Sequence, residues 1–309
     1  MMQKKSLLYS LFFLNILIWG SSWASVRFLL ERYTQIVGSP TSKPFFIAGL
    51  RYVLAGFIIF PFAIKSIREK PLTKKDILSL FCYALFFIAL SNALVFWSQQ
   101  FLPSSLCSII FSLYPMLILV LSFLFLQDET IHLLKILGTF VSFLGVVLIF
   151  FDPLILEIPI GSLAFFSMVL SVFFAAFPTV LIRKYSIHLN VLVLNSLGML
   201  LGGVFLLITA FIVESPLQLP KDLPFWLVLL YLSAFASCYT LIAFFWLMRH
   251  VQLTKLSLSS YLTPLVSLII GVLFYHESLN IQSYLGMLFI FLGISLIDAK
   301  KYRMMLYGK

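Results

Sequence analysis

The hydrophobic positions of this chain form long uninterrupted runs instead of the short alternations that are typical of β-strands. At about 20 residues each, these runs are long enough for a helix to cross the hydrocarbon core of a bilayer. Turn-forming or charged residues separate them, as at Asp152-Pro153 and Arg183-Lys184. The pattern predicts ten spans, at residues 6–30, 45–64, 77–100, 103–126, 132–152, 159–183, 189–213, 225–248, 253–275 and 281–298.

The composition supports an all-α integral membrane protein. The chain is 62% hydrophobic and 10% charged, and its mean hydropathy is +1.09, whereas soluble domains carry roughly 25% charged residues. The lipid bilayer is therefore its predicted solvent. The net charge of +10 does not indicate nucleic-acid binding, because the basic residues lie between apolar runs instead of forming one basic face.

The distribution of Lys and Arg predicts the orientation. With a cytoplasmic N-terminus, sixteen of these residues fall in inner segments and three, Arg32, Lys43 and Lys221, in outer loops. Both termini are therefore predicted to be cytoplasmic. The first run follows Lys4-Lys5 as in a signal peptide, but residues 6–30 are too long for one and lack a convincing cleavage site. We interpret it as a retained span.

The two halves of the chain resemble each other. At a shift of 149 residues Phe96-Trp97 falls on Phe245-Trp246 and Pro115 on Pro264, and at a shift of 148 Glu129 falls on Glu277. The predicted repeats are residues 6–152 and 159–298. Because each holds five spans, the second enters the membrane the opposite way up, which is the architecture of many secondary transporters.

Several short motifs resemble the EamA family of the drug/metabolite transporter superfamily. They are WGSSW at Trp19–Trp23, LRYVLAG at Leu50–Gly56, and a mid-helix Pro followed by Glu and a Gly-x6-Gly helix, which occurs twice. The resemblance implies ten helices in two repeats, a bacterial inner membrane, and movement of small metabolites such as amino acids or nucleobases. It does not fix the substrate.

The prolines and the polar residues near them are candidates for the cavity lining. A mid-helix Pro kinks a helix and frees a carbonyl, and a buried hydroxyl in lipid needs a partner or a wet cavity. Static kinks and close helix packing are the alternatives. The candidates are Ser108, Ser112, Pro115, Ser257, Tyr261 and Pro264.

Three further candidates lie deeper in the first half. Arg51 either snorkels to the interface or lies inside and pairs with a carboxylate or an anionic substrate. Asn92 either joins two helices by a hydrogen bond or contacts the substrate. Trp19 either packs against glycine or offers a stacking surface to a flat substrate.

Glu129 and Glu277 are candidate gates. Each follows an apolar run and is followed by a hydroxyl residue, so each is also placed to stabilise the start of a helix. Inversion puts Glu129 on the inner face and Glu277 on the outer face. The gate hypothesis assigns them to opposite sides of the same transport path.

The predicted function is a secondary transporter that works by alternating access and exports a small organic metabolite. The sequence lacks a Gly-x4-Gly-Lys-Ser/Thr loop for ATP, and its histidines and cysteines show no metal spacing, so neither cofactor nor metal is predicted. A lipid-modifying membrane enzyme and a channel are the alternatives, and the enzyme is not favoured. Glycines spaced by seven, as at Gly138 and Gly145, predict close helix packing and allow a homodimer.

Overall fold

The computed structural model describes residues 2–38, 42–69, 71–126, 133–186, 188–250, 253, 256 and 259–306. Within these ranges the regular structure is helical and there is no β-strand. The long helices are α1 (Met2–Val37), α2 (Pro44–Glu69), α3 (Lys74–Ser98), α4 (Ser104–Phe125), α5 (Leu133–Phe150), α6 (Gly161–Tyr185), α7 (Val191–Val213), α8 (Leu223–Met248), α9 (Ser259–Tyr275) and α10 (Ile281–Leu306).

The helices have the length and the surface of membrane spans. In the described part of the chain seven are long and apolar enough to cross a bilayer, and α5, α9 and α10 carry the shorter apolar segments Ile136–Phe150, Leu262–Tyr275 and Ile281–Gly293. Large apolar side chains such as Phe62, Phe211 and Phe274 are exposed on the outside of the bundle. A surface of this kind fits hydrocarbon, so the chain is a multi-pass membrane protein. The ten-span count and the inversion stay predictions.

The helix contacts keep their pattern when the two halves are exchanged. Helix α2 packs on α7, and α5 packs on α10. Helix α1 packs on α8 and α9 of the other half, just as α6 packs on α3 and α4. Each half therefore sends its first helix into the other half, and the centre of the bundle is built from both.

Close approach between α5 and α10 depends on glycine. A Cβ added to Gly145 would lie 2.5 Å from the carbonyl oxygen of Gly286, and one added to Gly293 would lie 2.3 Å from that of Gly138. Small residues let two backbones meet in this way. The glycines spaced by seven are thus used for packing inside the chain.

Irregular backbone occurs at related positions of the two halves. The segments Tyr83–Ser91 of α3 and Ala234–Tyr239 of α8 are π-helical, a form that frequently marks functional sites. Helix α4 is interrupted between Phe111 and Tyr114. In α9 the Thr263 hydroxyl donates to the Ser260 carbonyl at 3.0 Å, which is the carbonyl that Pro264 cannot satisfy.

Candidate functional site

A cavity of about 110 Å³ lies between the two halves. Helices α1 to α4 of the first half and α6, α8 and α9 of the second contribute to its wall. The wall carries a group of aromatic side chains, namely Trp19, Trp23, Tyr52, Phe87, Phe96, Phe111, Tyr114 and Phe244. Concave, mostly apolar sites with a few placed polar groups are typical of small-molecule binding.

The aromatic side chains of the wall contact one another, and one of these contacts crosses the boundary between the halves. The ring centroids of Trp19 in α1 and Phe244 in α8 are 5.5 Å apart. Those of Trp23 and Phe111 are 5.4 Å apart, and Phe111 stacks on Tyr114 at 5.9 Å. These rings give the cavity apolar surfaces suited to a flat or apolar solute.

Arg51 is the one charged residue in the described wall. Its Nε donates to the Ser237 hydroxyl at 2.9 Å and its Nη2 to the Ala236 carbonyl at 3.2 Å. Its guanidinium lies 5.0 Å from the centre of the Tyr52 ring. Since Arg51 is only 6% exposed, it lies inside the bundle and does not snorkel to the interface.

A short hydrogen-bonded chain lies beside Arg51. The Tyr52 hydroxyl donates to Asn92 Oδ1 at 2.8 Å, and Asn92 Nδ2 donates to the Phe87 carbonyl at 2.9 Å. That carbonyl belongs to the π-helical segment, so the Asn92 amide satisfies a backbone group in an irregular stretch. The structure thus gives Asn92 a helix-joining bond and a place in the wall.

Only some of the site residues that were predicted from the sequence line the cavity. The wall contains Trp19, Arg51 and Asn92 but none of Ser108, Ser112, Pro115 and Pro264, which are buried elsewhere. The hydroxyls of Ser108 and Ser112 donate to the carbonyls of Ser105 and Ile109 in the preceding turn. Ser257 and the side chain of Tyr261 lie outside the described residues, as does Glu129.

The sequence reading missed Gln99, Tyr52, Ser260 and Thr263, which all line the cavity. Tyr52 follows Arg51 directly and belongs to an apolar run, so its side chain gives no separate signal in the sequence. Gln99 lies at the end of a predicted span, where a polar residue does not by itself indicate a binding site. Ser260 and Thr263 are three residues apart and share a face of α9, so the helical spacing that selected Ser108 and Ser112 also selects them.

Glu277 joins three helices at one end of the bundle. Its carboxylate accepts the backbone N–H of Ser104 at 2.9 Å and of Ser105 at 3.1 Å, the hydroxyls of both serines, and a hydrogen bond from Arg27. We call these four residues the Glu277 cluster. Burial raises the pKa of Glu277, but the hydrogen bonds from Ser105 and Ser104 outweigh it and the net pKa is lowered.

Glu214 stabilises a second helix start. Its two carboxylate oxygens accept the backbone N–H groups of Phe45 and Phe46, each at 2.9 Å, at the first turn of α2. Burial raises the pKa of Glu214, and the two backbone hydrogen bonds offset part of that rise. Free N–H groups at a helix start favour a carboxylate.

The structure is a helical bundle that faces lipid on the outside. Between its halves lies a cavity lined by aromatic side chains and a few polar ones. This arrangement fits the class of membrane transporters. The profile of the EamA-like transporter family matches residues 6–151 and 162–298, so the chain belongs to that family. This confirms the resemblance drawn from the WGSSW and LRYVLAG motifs. Family membership makes the chain a membrane transporter and gives no support to an enzyme.

Similar proteins span nearly the same length. An uncharacterized transporter of Archaeoglobus fulgidus is 25% identical, covering 93% of this chain and 97% of its own. The uncharacterized transporter YvbV of Bacillus subtilis is 27% identical, covering 92% and 89%. The uncharacterized inner membrane transporter YedA of Escherichia coli is 23% identical, covering 96% and 92%.

A solved structure has the same fold. This crystal structure superposes with a TM-score of 0.68 at 16% sequence identity. The superposition covers 97% of this chain and 99% of the other.

Proposed function

We propose that the protein is a secondary transporter that exports a small organic metabolite across a bacterial inner membrane. The observation that carries the proposal is the cavity, because its wall combines aromatic surface with a few polar side chains and draws on helices of both halves. Amino acids, nucleobases and compounds of similar size are the proposed substrates. The name of the relative YedA supports the inner membrane.

Alternating access between the halves is the proposed mechanism. Support comes from the helix contacts, which keep their pattern when the halves are exchanged. Inverted repeats with a site at their interface rock around that site to open it to each side in turn. A substrate that contacts Trp19 of α1 and Phe244 of α8 would touch a helix of each half.

The Glu277 cluster is the proposed outer gate. Arg27 of α1 and Ser104 and Ser105 of α4 meet on one carboxylate that follows α9. Separating these helices breaks a charged, buried set of hydrogen bonds, so the cluster favours a state closed at this end. Glu129 remains the proposed inner gate.

Counterflow in liposomes tests this function. Purified protein is reconstituted, the vesicles are loaded with one unlabelled metabolite, and uptake of the labelled form is followed for a panel of amino acids, nucleobases and other small organic compounds. A carrier with alternating access gives transient accumulation of the label above equilibrium. A channel gives equilibration alone, and an enzyme gives a changed solute without movement.

Two variants show whether any flux passes through the cavity. Ala175→Trp adds bulk to the wall on α6, so we expect it to stop counterflow. Leu170→Trp makes the same kind of change on an exposed position of the same helix and should leave it unchanged. Absence of counterflow for every solute, or equal flux in both variants, contradicts the proposal.

A transport rate that does not change when the proton gradient is collapsed rejects proton coupling.

A further inference from the structure

The guanidinium of Arg51 lacks an acidic partner in the part of the chain that the structure describes. Its hydrogen bonds go to a hydroxyl and a backbone carbonyl, and the other groups close to it are the faces of Tyr52 and Phe96. Ionisable residues within membrane spans pair with one another or with backbone carbonyls, and they mark substrate and ion pathways. Arg51 thus brings a positive charge, with no acid beside it in the described residues, into a mainly apolar cavity.

Gln99 adds an amide with nothing to bind. It lines the same cavity and is 4% exposed, and neither its amide oxygen nor its amide nitrogen has a hydrogen-bond partner among the described residues. A side-chain amide can donate two hydrogen bonds and accept two. Buried polar groups are nearly always satisfied, so an unpartnered amide at a cavity wall indicates a polar group supplied from outside the chain.

We propose that the transported metabolite is a small carboxylate. Its anionic group binds Arg51, and the same polar end of the molecule reaches Gln99. This inference rests on the proposed function. A planar carboxylate matches the donor geometry of a guanidinium, and its apolar body packs against the aromatic rings of the wall, among them Trp19 and Phe244.

The positive charge of the wall favours a solute that carries a single negative charge. Arg51 is the one basic residue that lines the cavity, and no acidic residue lines it within the described residues. A phosphate ester, which carries up to two negative charges, would be left without a second cation. A cationic solute would meet repulsion from Arg51 without any attraction. A monocarboxylate balances the site.

Arg51 also has a structural role, because it joins α2 to α8 through Ser237 and Ala236. The two roles are separable. Loss of a helix contact weakens the binding of every solute and lowers the thermal stability. Loss of an anion site weakens carboxylates alone and leaves their neutral analogues unaffected.

The test uses matched probe pairs on the purified full-length protein. Each pair is a carboxylic acid and its primary amide, from acetate and acetamide up to phenylacetate and phenylacetamide, with affinities taken from calorimetry or from tryptophan fluorescence. We expect at least one carboxylate to bind tenfold or more tightly than its amide. Arg51→Gln should bring that ratio close to one, Arg51→Lys should keep part of it, and Gln99→Ala should weaken the carboxylate several-fold.

Arg68→Gln is the matched control, because it makes the same chemical change at an exposed position of α2 and should leave the ratio as in the wild type. The inference is overturned if no pair shows a carboxylate preference, or if Arg51→Gln keeps the preference. In either case counterflow of a neutral solute would leave the proposed function standing. Absence of all counterflow would remove that function instead.

Discussion

The two halves of the bundle share a packing plan but divide the chemistry of the cavity unequally. The first half supplies every charged or amide side chain of the described wall, namely Arg51, Asn92 and Gln99. At a shift of 149 residues, Asn92 falls on Leu241 and Gln99 on Met248. The second half adds small and apolar side chains with two hydroxyls, Ser260 and Thr263. Equal halves are useful for opening to either side, whereas one asymmetric solute needs only one set of polar contacts.

The acids at the helix ends show the opposite division. Glu214 and Glu277 both belong to the second half, and each accepts the first N–H groups of a first-half helix, α2 or α4. The two sites differ in one respect, because Glu277 also binds Arg27. We therefore expect Glu277 to control an opening between helices and Glu214 to fix the start of α2.

The largest expected effect is that of Glu277→Gln. Breaking a buried ion pair costs about 3–5 kcal/mol, and we expect about 2–3 kcal/mol because Arg27 keeps its bond to Glu31 at 2.7 Å. Cys107, which is fully buried one turn into α4, should then be labelled by a membrane-impermeant maleimide about 30 to 140 times faster, since 1.4 kcal/mol is about tenfold. The background carries Cys82→Ser and Cys238→Ser.

Glu214→Gln is the control for that experiment. It changes a second buried carboxylate that stabilises a helix start but holds no arginine. Cys107 labelling should stay at the level of the parent protein. Equal labelling in both variants, with normal counterflow, would show that the Glu277 cluster only stabilises the start of α4.

The sequence predicted the helices well and the cavity wall only in part. Runs of apolar residues fix where a helix crosses a bilayer, so the predicted span 103–126 differs little from the observed Ser104–Phe125. Which face a side chain takes depends on neighbours far apart in sequence. Ser108 and Ser112 had the right spacing for a lining, but their hydroxyls bond within α4.

Arg27 shows a second reason for the difference. Arg27 falls within the predicted span 6–30, and its partner Glu277 is 250 residues away, so the sequence alone gives it no role. Pairings of this kind arise only after the first helix of one half packs into the other. The position of Gln99 has the same origin, since its cavity is closed by α8 and α9.

An intermediate effect is expected for Asn92→Leu, which gives the first half the residue type that the second half has at position 241. The Tyr52 hydroxyl loses its acceptor and the Phe87 carbonyl loses its donor. Leaving such groups unsatisfied costs about 1–3 kcal/mol. We expect a lower midpoint of thermal unfolding together with weaker solute binding, about tenfold by calorimetry.

Asn195→Leu is a close match for that variant outside the cavity. The Tyr83 hydroxyl donates to Asn195 at 2.9 Å and the amide donates to the Val191 carbonyl at 2.8 Å, yet Asn195 is absent from the wall. We expect a similar loss of stability with unchanged affinity. If both variants weaken binding to the same degree, Asn92 acts through the fold and the one-sided chemistry of the cavity is reduced to Arg51 and Gln99.

The smallest expected effect concerns helix starts and pH. Asp222 stabilises the start of α8 through the N–H of Phe225 at 3.0 Å and binds Arg32 at 2.9 Å, whereas Thr73, at the same position of the first half, is neutral and acts through its hydroxyl. The hydrogen bond from Arg32 lowers the pKa of Asp222 below its ordinary 3.8. Its contribution to stability is therefore present above that pH and is lost as the pH falls through the folded-state pKa.

Asp222→Asn keeps a residue that stabilises helix starts but loses the ion pair, which is weak at a surface. We expect its unfolding midpoint to lie about 1 °C below that of the wild type at pH 7. The two midpoints should converge as the pH falls below 3.8, and parallel curves through that pH would show that the charge of Asp222 contributes nothing.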